Sequence, residues 1–248
     1  MKTVMDRKGV WGFSRGISSS DMVRCHSLLS RLFPYVNFEK TAVCGRLAII
    51  YWCDAFGVAY PQRPISGVDL VSIDIQSINP RITSEMWVYQ EKRRYLAIRH
   101  RATRMNVNVF TDGKAALDNS VIVNYGGHPV RIVSLEQQVA KLVHDVNRVH
   151  YGFVDPKQFA DLELLLPHCD VHRLQKAWNL LYRRQCKDRG WQVVLEEAIA
   201  HSKKYPMVLV EDPFKSKRTL GQKVSIVLNM AFTTLSRRLL QFLPIKDW

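Results

Sequence analysis

The chain has 248 residues, of which 47% are hydrophobic and 23% are charged. This composition is typical of a globular protein with a substantial core, in one large domain or two small ones, and it excludes extended disorder. The 36 lysines and arginines outnumber the 22 acidic residues and give a formal net charge of +14. Such an excess favours a polyanionic partner, because a basic surface attracts nucleic acid over long range.

No segment of the sequence predicts membrane insertion or secretion. The longest apolar runs, such as residues 43–56, contain charged side chains and fall short of the roughly 20 residues that a spanning helix needs. The first residues lack the apolar core of a signal peptide. The five cysteines form no Cys-x-x-Cys pair, and an odd number cannot make a complete disulfide framework. We therefore expect a cytoplasmic protein without a membrane partner.

The predicted elements begin with a basic arm and continue as an α/β region. Residues 1–18 are basic and rich in glycine and serine, which indicates a flexible arm. Residues 18–21 can then cap a first helix. Residues 38–50 suggest a turn into a buried helix, and strands are predicted at 68–75, 86–88, 95–98 and 107–110, with a hairpin over 121–133 around Gly126 and Gly127. Residues 19–133 are thus predicted to form an α/β domain.

The periodicity becomes helical from Ser134 onward. Ser134 can cap a helix whose apolar side chains recur at helical spacing, namely Leu135, Val139, Leu142, Val143 and Val146. Further helices are predicted over 156–166, 171–185, 191–203 and 220–242. Residues 134–248 are thus predicted to form a helical domain. The predicted fold class is α+β, a mixed sheet with flanking helices followed by a helical C-terminal half.

Three short motifs suggest chemistry. Residues 43–48 read Val-Cys-Gly-Arg-Leu-Ala, residues 63–70 read Arg-Pro-Ile-Ser-Gly-Val-Asp-Leu, and residues 105–110 read Met-Asn-Val-Asn-Val-Phe. Side chains two residues apart share one face of a strand, which is the spacing that two metal-binding carboxylates need. In the second motif only Asp69 is a carboxylate, because the position two residues earlier is Gly67.

The order of these motifs resembles the AbiEii-like family of the polymerase-beta-like nucleotidyltransferases. In that family a Gly-Gly turn opens a helix, an Arg-x-Thr-x-Asp-x-Asp strand follows, and a later strand supplies a third carboxylate. Arg63 and Asp69 match the pattern, whereas Ile65 and Gly67 stand where threonine and the first aspartate are usual. Asn108 takes the place of the third carboxylate. The resemblance covers roughly half of the chain and implies a nucleotidyltransferase-like sheet.

The resemblance also implies roles for individual residues. Asp69 would hold Mg²⁺, and Lys141, on the helix after Ser134, would reach the phosphates of a nucleoside triphosphate. Residues 155–162 keep the last two residues of a downstream Arg-x-x-Asp-x-x-Asp-Leu motif but have Gln158 for the earlier aspartate. The implied nucleotide-binding residues are Gly45, Arg46, Arg63 and Asp161.

Two of the three expected carboxylates are missing, so we expect weak Mg²⁺ binding. Asp74 lies five residues from Asp69 and should point to the opposite face of a strand. Asp112 could supply the missing charge only if the strand before it ended early. We therefore predict a catalytically weak or inactive protein, a pseudoenzyme of toxin–antitoxin or mobile-element type. The alternatives are an active Mg²⁺-dependent enzyme that transfers a nucleoside monophosphate to tRNA or protein, and a non-enzymatic module that docks through its C-terminal helix.

The positive charge is concentrated beside the expected nucleotide cleft. The basic residues of segment 91–104 are Lys92, Arg93, Arg94, Arg99, Arg101 and Arg104. They predict a nucleic-acid-binding surface, with tRNA or another RNA as partner, because each neutralised phosphate releases counterions. The competing interpretation is a generally basic, solvated surface. A cognate antitoxin or another protein partner is also expected from the toxin–antitoxin resemblance.

Overall fold

The computed structural model describes residues 19–61, 63–112, 114–146 and 156–204, together with residues 228, 231, 232, 234 and 235. The predicted arm over residues 1–18 and most of the predicted helix over 220–242 lie outside the described residues. Within those ranges the protein is α+β, so the predicted fold class is confirmed. None of the helices described is long and apolar enough to cross a membrane.

A seven-stranded mixed sheet forms the centre of the described structure, with strand order β3-β4-β5-β2-β1-β7-β6. The β1/β7 and β2/β5 pairs are parallel, and the remaining neighbours are antiparallel. The strands are β1 (Thr41–Cys44), β2 (Gly67–Ser72), β3 (Met86–Lys92), β4 (Tyr95–His100), β5 (Asn106–Thr111), β6 (Val121–Tyr125) and β7 (His128–Ile132).

Six α-helices are described beside the sheet: α1 (Ser19–Leu32), α2 (Gly45–Phe56), α3 (Leu135–Val146), α4 (Pro156–Leu165), α5 (Val171–Leu181) and α6 (Trp191–Lys204). Helix α3 packs against α4, α5 and α6, and α2 contacts β1, β2, α3 and α4. The Trp52 indole of α2 donates to the Val133 carbonyl just before α3, at 3.1 Å. Helices α2 and α3 are therefore fixed beside each other on the sheet.

The register of the parallel pair β2/β5 determines which side chains meet. Asp69 lies opposite Asn108, and Gly67 lies opposite Asn106. Successive residues of a strand point to opposite faces, so these four positions, two residues apart on each strand, share one face of the sheet. The residues that follow each of these positions in the chain point to the other face and are fully buried, namely Val68, Leu70, Val107 and Val109. One face of this strand pair is thus apolar core, and the other carries the polar side chains.

Most predicted elements are confirmed, but several differ from the structure in type or in bounds, such as β2, which ends at Ser72 rather than at residue 75. Residues 41–44 form a strand where a turn was predicted. All four residues are buried, so the sequence lacks the polar alternation by which a strand is usually recognised. Helix α5 ends at Leu181 rather than at residue 185, and a 3₁₀ turn follows. Tyr182, which follows the last residue of α5, has φ of −125° and ψ of −20°, outside the α-helical region. The β6/β7 hairpin around Gly126 and Gly127 is confirmed.

Candidate functional site

The site is built around the turn between β1 and α2. Gly45 opens α2 with a φ of +64°, a conformation that favours glycine. A Cβ at this position would lie 2.5 Å from Oδ2 of Asp69. The Gly45 N–H donates to Oε1 of Gln138 on α3, at 2.9 Å. The glycine thus lets the Asp69 carboxylate approach the start of α2, and Gln138 ties α3 to the same turn.

The Asp69 carboxylate is held by an amide from the neighbouring strand. Nδ2 of Asn108 donates to Oδ1 of Asp69 at 2.9 Å, and the Tyr95 hydroxyl donates to Oδ1 of Asn108 at 2.9 Å. Because a carboxylate only accepts, this pairing also fixes the orientation of the Asn108 amide. Burial raises the pKa of Asp69, while the hydrogen bond from Asn108 and the charge of Lys141 act to lower it.

Lys141 reaches the site from α3 and forms an ion pair with a carboxylate of the same helix. Its ammonium donates to Asp145 one turn later, and Oδ1 of Asp145 lies 3.2 Å from Nδ1 of His144. Burial acts to lower the pKa of Lys141, but Asp145 outweighs it and the pKa is raised. Burial acts to raise the pKa of Asp145, but hydrogen bonds to His144 and Lys141 hold it below its usual value. Both partners of the pair are therefore charged at neutral pH.

Asp145 is a site residue that the sequence analysis missed. The signal was its spacing of four residues from Lys141, which places both side chains on one face of a helix. On its own that spacing is common on solvated helices, and only the fold shows that this face of α3 points at the polar strands.

These side chains surround one cavity of about 280 Å³, which we call the site cavity. The structure thus brings together Gly45, Asp69 and Lys141, as the order of the motifs predicted. The functional roles of these residues stay predictions. The polar residues that line the cavity are Arg46, Ser66, Asp69, Asn106, Asn108, Gln138, Lys141, Asp145, Lys157, Gln158 and Asp161.

Arg63, expected to bind nucleotide, does not line the site cavity. Its guanidinium pairs with the buried Asp161 carboxylate of α4 and donates to the Lys157 carbonyl at 3.2 Å. The pair ties the segment before β2 to α4. Asp161 does line the cavity, but the ion pair with Arg63 engages its carboxylate. Arg46 lines the cavity as predicted, and its guanidinium donates to the Pro64 carbonyl.

Gly67 stands where the resemblance described in the sequence analysis leads one to expect an aspartate, and the structure has no room for a side chain there. A Cβ on Gly67 would overlap the carbonyl oxygen of Asn106 across the β2/β5 pair. Backbone atoms of a central strand cannot yield as the end of a long side chain can. An aspartate at this position would therefore require the two strands to separate.

The donor set around Asp69 does not fit Mg²⁺ held between the strands. Asp69 is the sole carboxylate on the facing positions of β2 and β5, with Oδ1 bonded to Asn108 and Oδ2 against Gly45. Mg²⁺ needs near-octahedral oxygen ligands and favours carboxylates. Among the residues that the structure describes, no group of three or more histidine, cysteine or acidic side chains could hold a metal ion.

Neither alternative carboxylate completes the set. Asp74 accepts from the Gln76 N–H at 3.0 Å and caps a 3₁₀ turn beyond the end of β2. Asp112 follows the end of β5 at Thr111 and lines a second cavity rather than the one around Asp69.

The basic segment 91–104 divides into two groups at the two ends of the β3/β4 hairpin. Lys92, Arg93 and Arg94 are exposed at the turn between the strands. The second group begins at Arg99, near the other end of β4, and ends at Arg104 after it. The six residues of β4 span about 17 Å at about 3.3 Å per residue. The segment does not form one compact patch, and its binding of nucleic acid stays a prediction.

The second basic group is engaged with the protein itself. Nε of Arg99 donates to the Arg104 carbonyl at 2.9 Å, and Arg101 donates to the Thr83 carbonyl at 2.8 Å. The Arg104 guanidinium lies 4.5 Å from the centre of the Trp87 ring. Contacts of this kind fix side chains in place. The turn group is therefore the better candidate for binding a flexible polyanion.

No protein-family model matches this chain, and no curated protein sequence matches it. Several solved structures are similar to it. ANT(2'')-Ia in complex with adenylyl-2''-tobramycin is 12% identical, with a TM-score of 0.49 over 65% of this chain and 98% of that one. A nucleotidyltransferase toxin from Mycobacterium tuberculosis is 10% identical, with a TM-score of 0.43 over 86% of this chain and 92% of that one.

An antigenic nucleotidyltransferase-like protein from Paracoccidioides brasiliensis is 16% identical, with a TM-score of 0.40 over 77% of this chain and 96% of that one. The similar structures named here are thus nucleotidyltransferases or nucleotidyltransferase-like proteins.

The close approach of Gly45 to Asp69 predicts an unequal cost for two glycine substitutions. Gly57 also has a left-handed φ, +69°, but a Cβ there would meet nothing within 4 Å. Gly57→Ala should therefore cost only the backbone strain, about 1 kcal/mol of unfolding free energy. Gly45→Ala should cost roughly 3 kcal/mol, because the Asp69 carboxylate must also move. Urea unfolding of both variants measures the difference, and equal costs would show that Gly45 does not confine the carboxylate.

The raised pKa of Asp69 predicts a pH-dependent stability. The folded state disfavours the ionised carboxylate, so stability falls as pH rises from the unfolded-state value near 3.8 through the raised folded-state pKa. Asp69→Asn removes this loss, and its amide oxygen can still accept from Asn108. We expect the variant to be more stable than the wild type near neutral pH by roughly 0.5–2 kcal/mol, and to lose this advantage near pH 3.5. Urea unfolding at both pH values checks this, and a variant less stable at neutral pH would contradict it.

Proposed function

We propose that this chain is a nucleotidyltransferase-fold protein of the AbiEii-like, toxin–antitoxin or mobile-element type. It binds the phosphates of a nucleotide in the site cavity and transfers nucleotides weakly or not at all. The observation that carries the proposal is the hydrogen bond from the Asn108 amide to Asp69. A neutral donor occupies the place where a second carboxylate and a shared cation are expected.

Phosphate binding is supported by the charges that face the site cavity. Lys141 carries a charged ammonium, and α2 begins in the cavity wall with Gly45 and Arg46. The N-terminus of a helix carries partial positive charge and exposed N–H groups, which favour a phosphate. Binding of a triphosphate would need Lys141 to share its charge between Asp145 and the ligand. This geometry supports ground-state binding.

Transfer of a nucleotide makes a further demand, because it develops charge on the transferred phosphoryl group and on the leaving group. Nucleotidyl transfer normally relies on a metal held by carboxylates to neutralise that charge and to orient the reacting oxygens. In this chain Asp69 is the sole carboxylate between β2 and β5. We therefore propose a pseudoenzyme or a weak enzyme, with Mg²⁺ entering at most as a loosely held ion on the phosphates.

The proposed partner is RNA, with tRNA as the first candidate, in the cytoplasm. Lys92, Arg93 and Arg94 form an exposed cationic turn, and Arg94 lines the cavity beside the site cavity. A phosphate chain could thus run from this turn to Lys141. The five cysteines, all within described residues, form no disulfide with one another, which fits a reducing compartment.

A second candidate function is a non-enzymatic interaction module that binds a cognate antitoxin or another protein. Three large apolar side chains near the C-terminus are exposed, Leu228, Phe232 and Leu235 at 65%, 73% and 57%. The Thr234 hydroxyl beside them accepts from the Val88 N–H of β3 at 2.9 Å. An apolar surface held at a sheet edge in this way favours a protein partner.

The proposal is tested by restoring a carboxylate at position 108. Asn108→Asp removes the hydrogen bond and places a second negative charge opposite Asp69. In a chelating buffer we expect it to lower stability by about 1–3 kcal/mol, because Asp69 then loses its donor and faces a second negative charge, while Tyr95 can still donate to position 108. Added Mg²⁺ should raise the melting temperature of Asn108→Asp and leave that of the wild type unchanged. Asn124→Asp, at an exposed position of β6, is the matched control and should show neither effect.

The same preparations are then incubated with each labelled nucleoside triphosphate, Mg²⁺ or Mn²⁺ and total tRNA. We expect little or no transfer of label by the wild type. Robust Mg²⁺-dependent transfer that Asp69→Asn abolishes would contradict the pseudoenzyme and favour the active enzyme. A wild-type melting temperature that rises with Mg²⁺ alone would contradict the description of the donor set.

A further inference from the structure

A second cavity, of about 260 Å³, adjoins the site cavity. The two cavities share Gln138, Lys141 and Asp145 in their walls. The rest of the second cavity is lined mainly by apolar and aromatic side chains, namely Val71, Phe110, Ala116, Val133, Leu181 and Tyr182. A polar cavity and a more apolar cavity thus meet at Lys141. A nucleotide has the same two parts, polar phosphates and a flat, less polar base.

Gln137 is one of the residues that line this cavity, and its side chain carries a buried acceptor without a donor. Nε2 of Gln137 donates to the Ala115 carbonyl at 2.6 Å, which fixes the orientation of its amide. Its other atom, Oε1, is buried, and the described residues offer it no hydrogen-bond donor. Gln137 as a whole is 6% exposed. Because a buried acceptor without a donor is costly, this atom suits a ligand that presents an N–H.

The aromatic residues of the cavity suit a flat ligand. The Tyr182 ring is stacked on His144, with 4.7 Å between ring centres. Phe110 is 39% exposed at the rim, and its ring centre lies 5.3 Å from that of Tyr95. The exposed Arg94 also lines the cavity. Aromatic faces and an arginine are groups on which nucleobases stack.

We propose that the second cavity, which we now call the base cavity, binds a nucleobase with an exocyclic amino group. That group donates to Oε1 of Gln137, while the phosphates of the same nucleotide lie across Lys141 in the site cavity. Glutamine accepts from the adenine 6-amino group in the bidentate pairs of DNA recognition, and here Nε2 is bonded to the Ala115 carbonyl, so a single hydrogen bond to Oε1 is proposed. The inference rests on the proposed function and names its ligand class. Gln137 is then a residue that determines which base is bound.

The test compares two triphosphates that differ in one amino group, using the full chain and isothermal titration calorimetry. Purine riboside triphosphate is ATP without the 6-amino group. We expect ATP to bind roughly 5–10-fold more tightly, the ratio that one net hydrogen bond to a buried acceptor provides. Gln137→Leu, which keeps the approximate size of the side chain, should weaken ATP binding and abolish the preference. Gln192→Leu on an exposed position of α6 is the matched control and should retain it.

The possible outcomes separate the two proposals. Equal affinities for ATP, purine riboside triphosphate and inorganic tripolyphosphate would overturn this inference and leave the phosphate site standing. No binding of any of the three would overturn the proposed function itself. A preference for ATP that persists in Gln137→Leu would place the base elsewhere and overturn the inference. If Gln137→Leu does not fold, the comparison of the two triphosphates on the wild type still decides it, since equal affinities would refute base recognition.

Discussion

The hydrogen bond from the Asn108 amide to the Asp69 carboxylate is the interaction on which the rest of the site depends. It exists because the parallel register of β2 and β5 places the two residues side by side, and because Tyr95 orients the amide. A second carboxylate at this distance would repel the first unless a cation lay between them. The amide supplies a donor instead, so the Asp69 carboxylate has a hydrogen-bond partner within the sheet.

The neighbouring charges follow the same principle. The ammonium of Lys141 is paired with Asp145 on its own helix. Asp161 in the cavity wall is paired with Arg63. Each of these carboxylates therefore has a partner within the chain, and each can be buried at tolerable cost. A ligand phosphate would compete with Asp145 for Lys141. Without such a ligand, the charge of Lys141 is balanced by Asp145.

Two glycines in the site, Gly45 and Gly67, have opposite effects on its carboxylates. At Gly45 the missing side chain leaves space that the Asp69 carboxylate uses, so the residue preserves the site. At Gly67 the space that a side chain would need is taken by the Asn106 backbone, so the residue closes the site to a second carboxylate. The glycine at position 67 is therefore part of how the two strands pack. Restoring the motif would require a different backbone.

The sequence was most informative where local periodicity determines structure. It predicted the α+β class, the β6/β7 hairpin and the capped helix α3, because hydrophobic spacing and turn residues are local signals. That Gly45, Asp69 and Lys141 line one cavity was predicted from the order of the motifs alone, since no local pattern indicates it. It could not predict the pairing of Lys141 with Asp145, the division of the basic segment or the buried acceptor of Gln137. Those depend on strand register and on which face of a helix meets the sheet.

The most direct test of the central claim is whether nucleotide binding by the wild type depends on Mg²⁺. Titration calorimetry with ATP in a chelating buffer and in excess Mg²⁺ gives the two dissociation constants. If the phosphates are bound by the protein's own amide and ammonium groups, the two dissociation constants should agree within about threefold, since Asp69 is the sole carboxylate on β2 and β5. ATP binding that appears only with Mg²⁺, or that tightens by more than about tenfold, would show that the site is built around a metal after all.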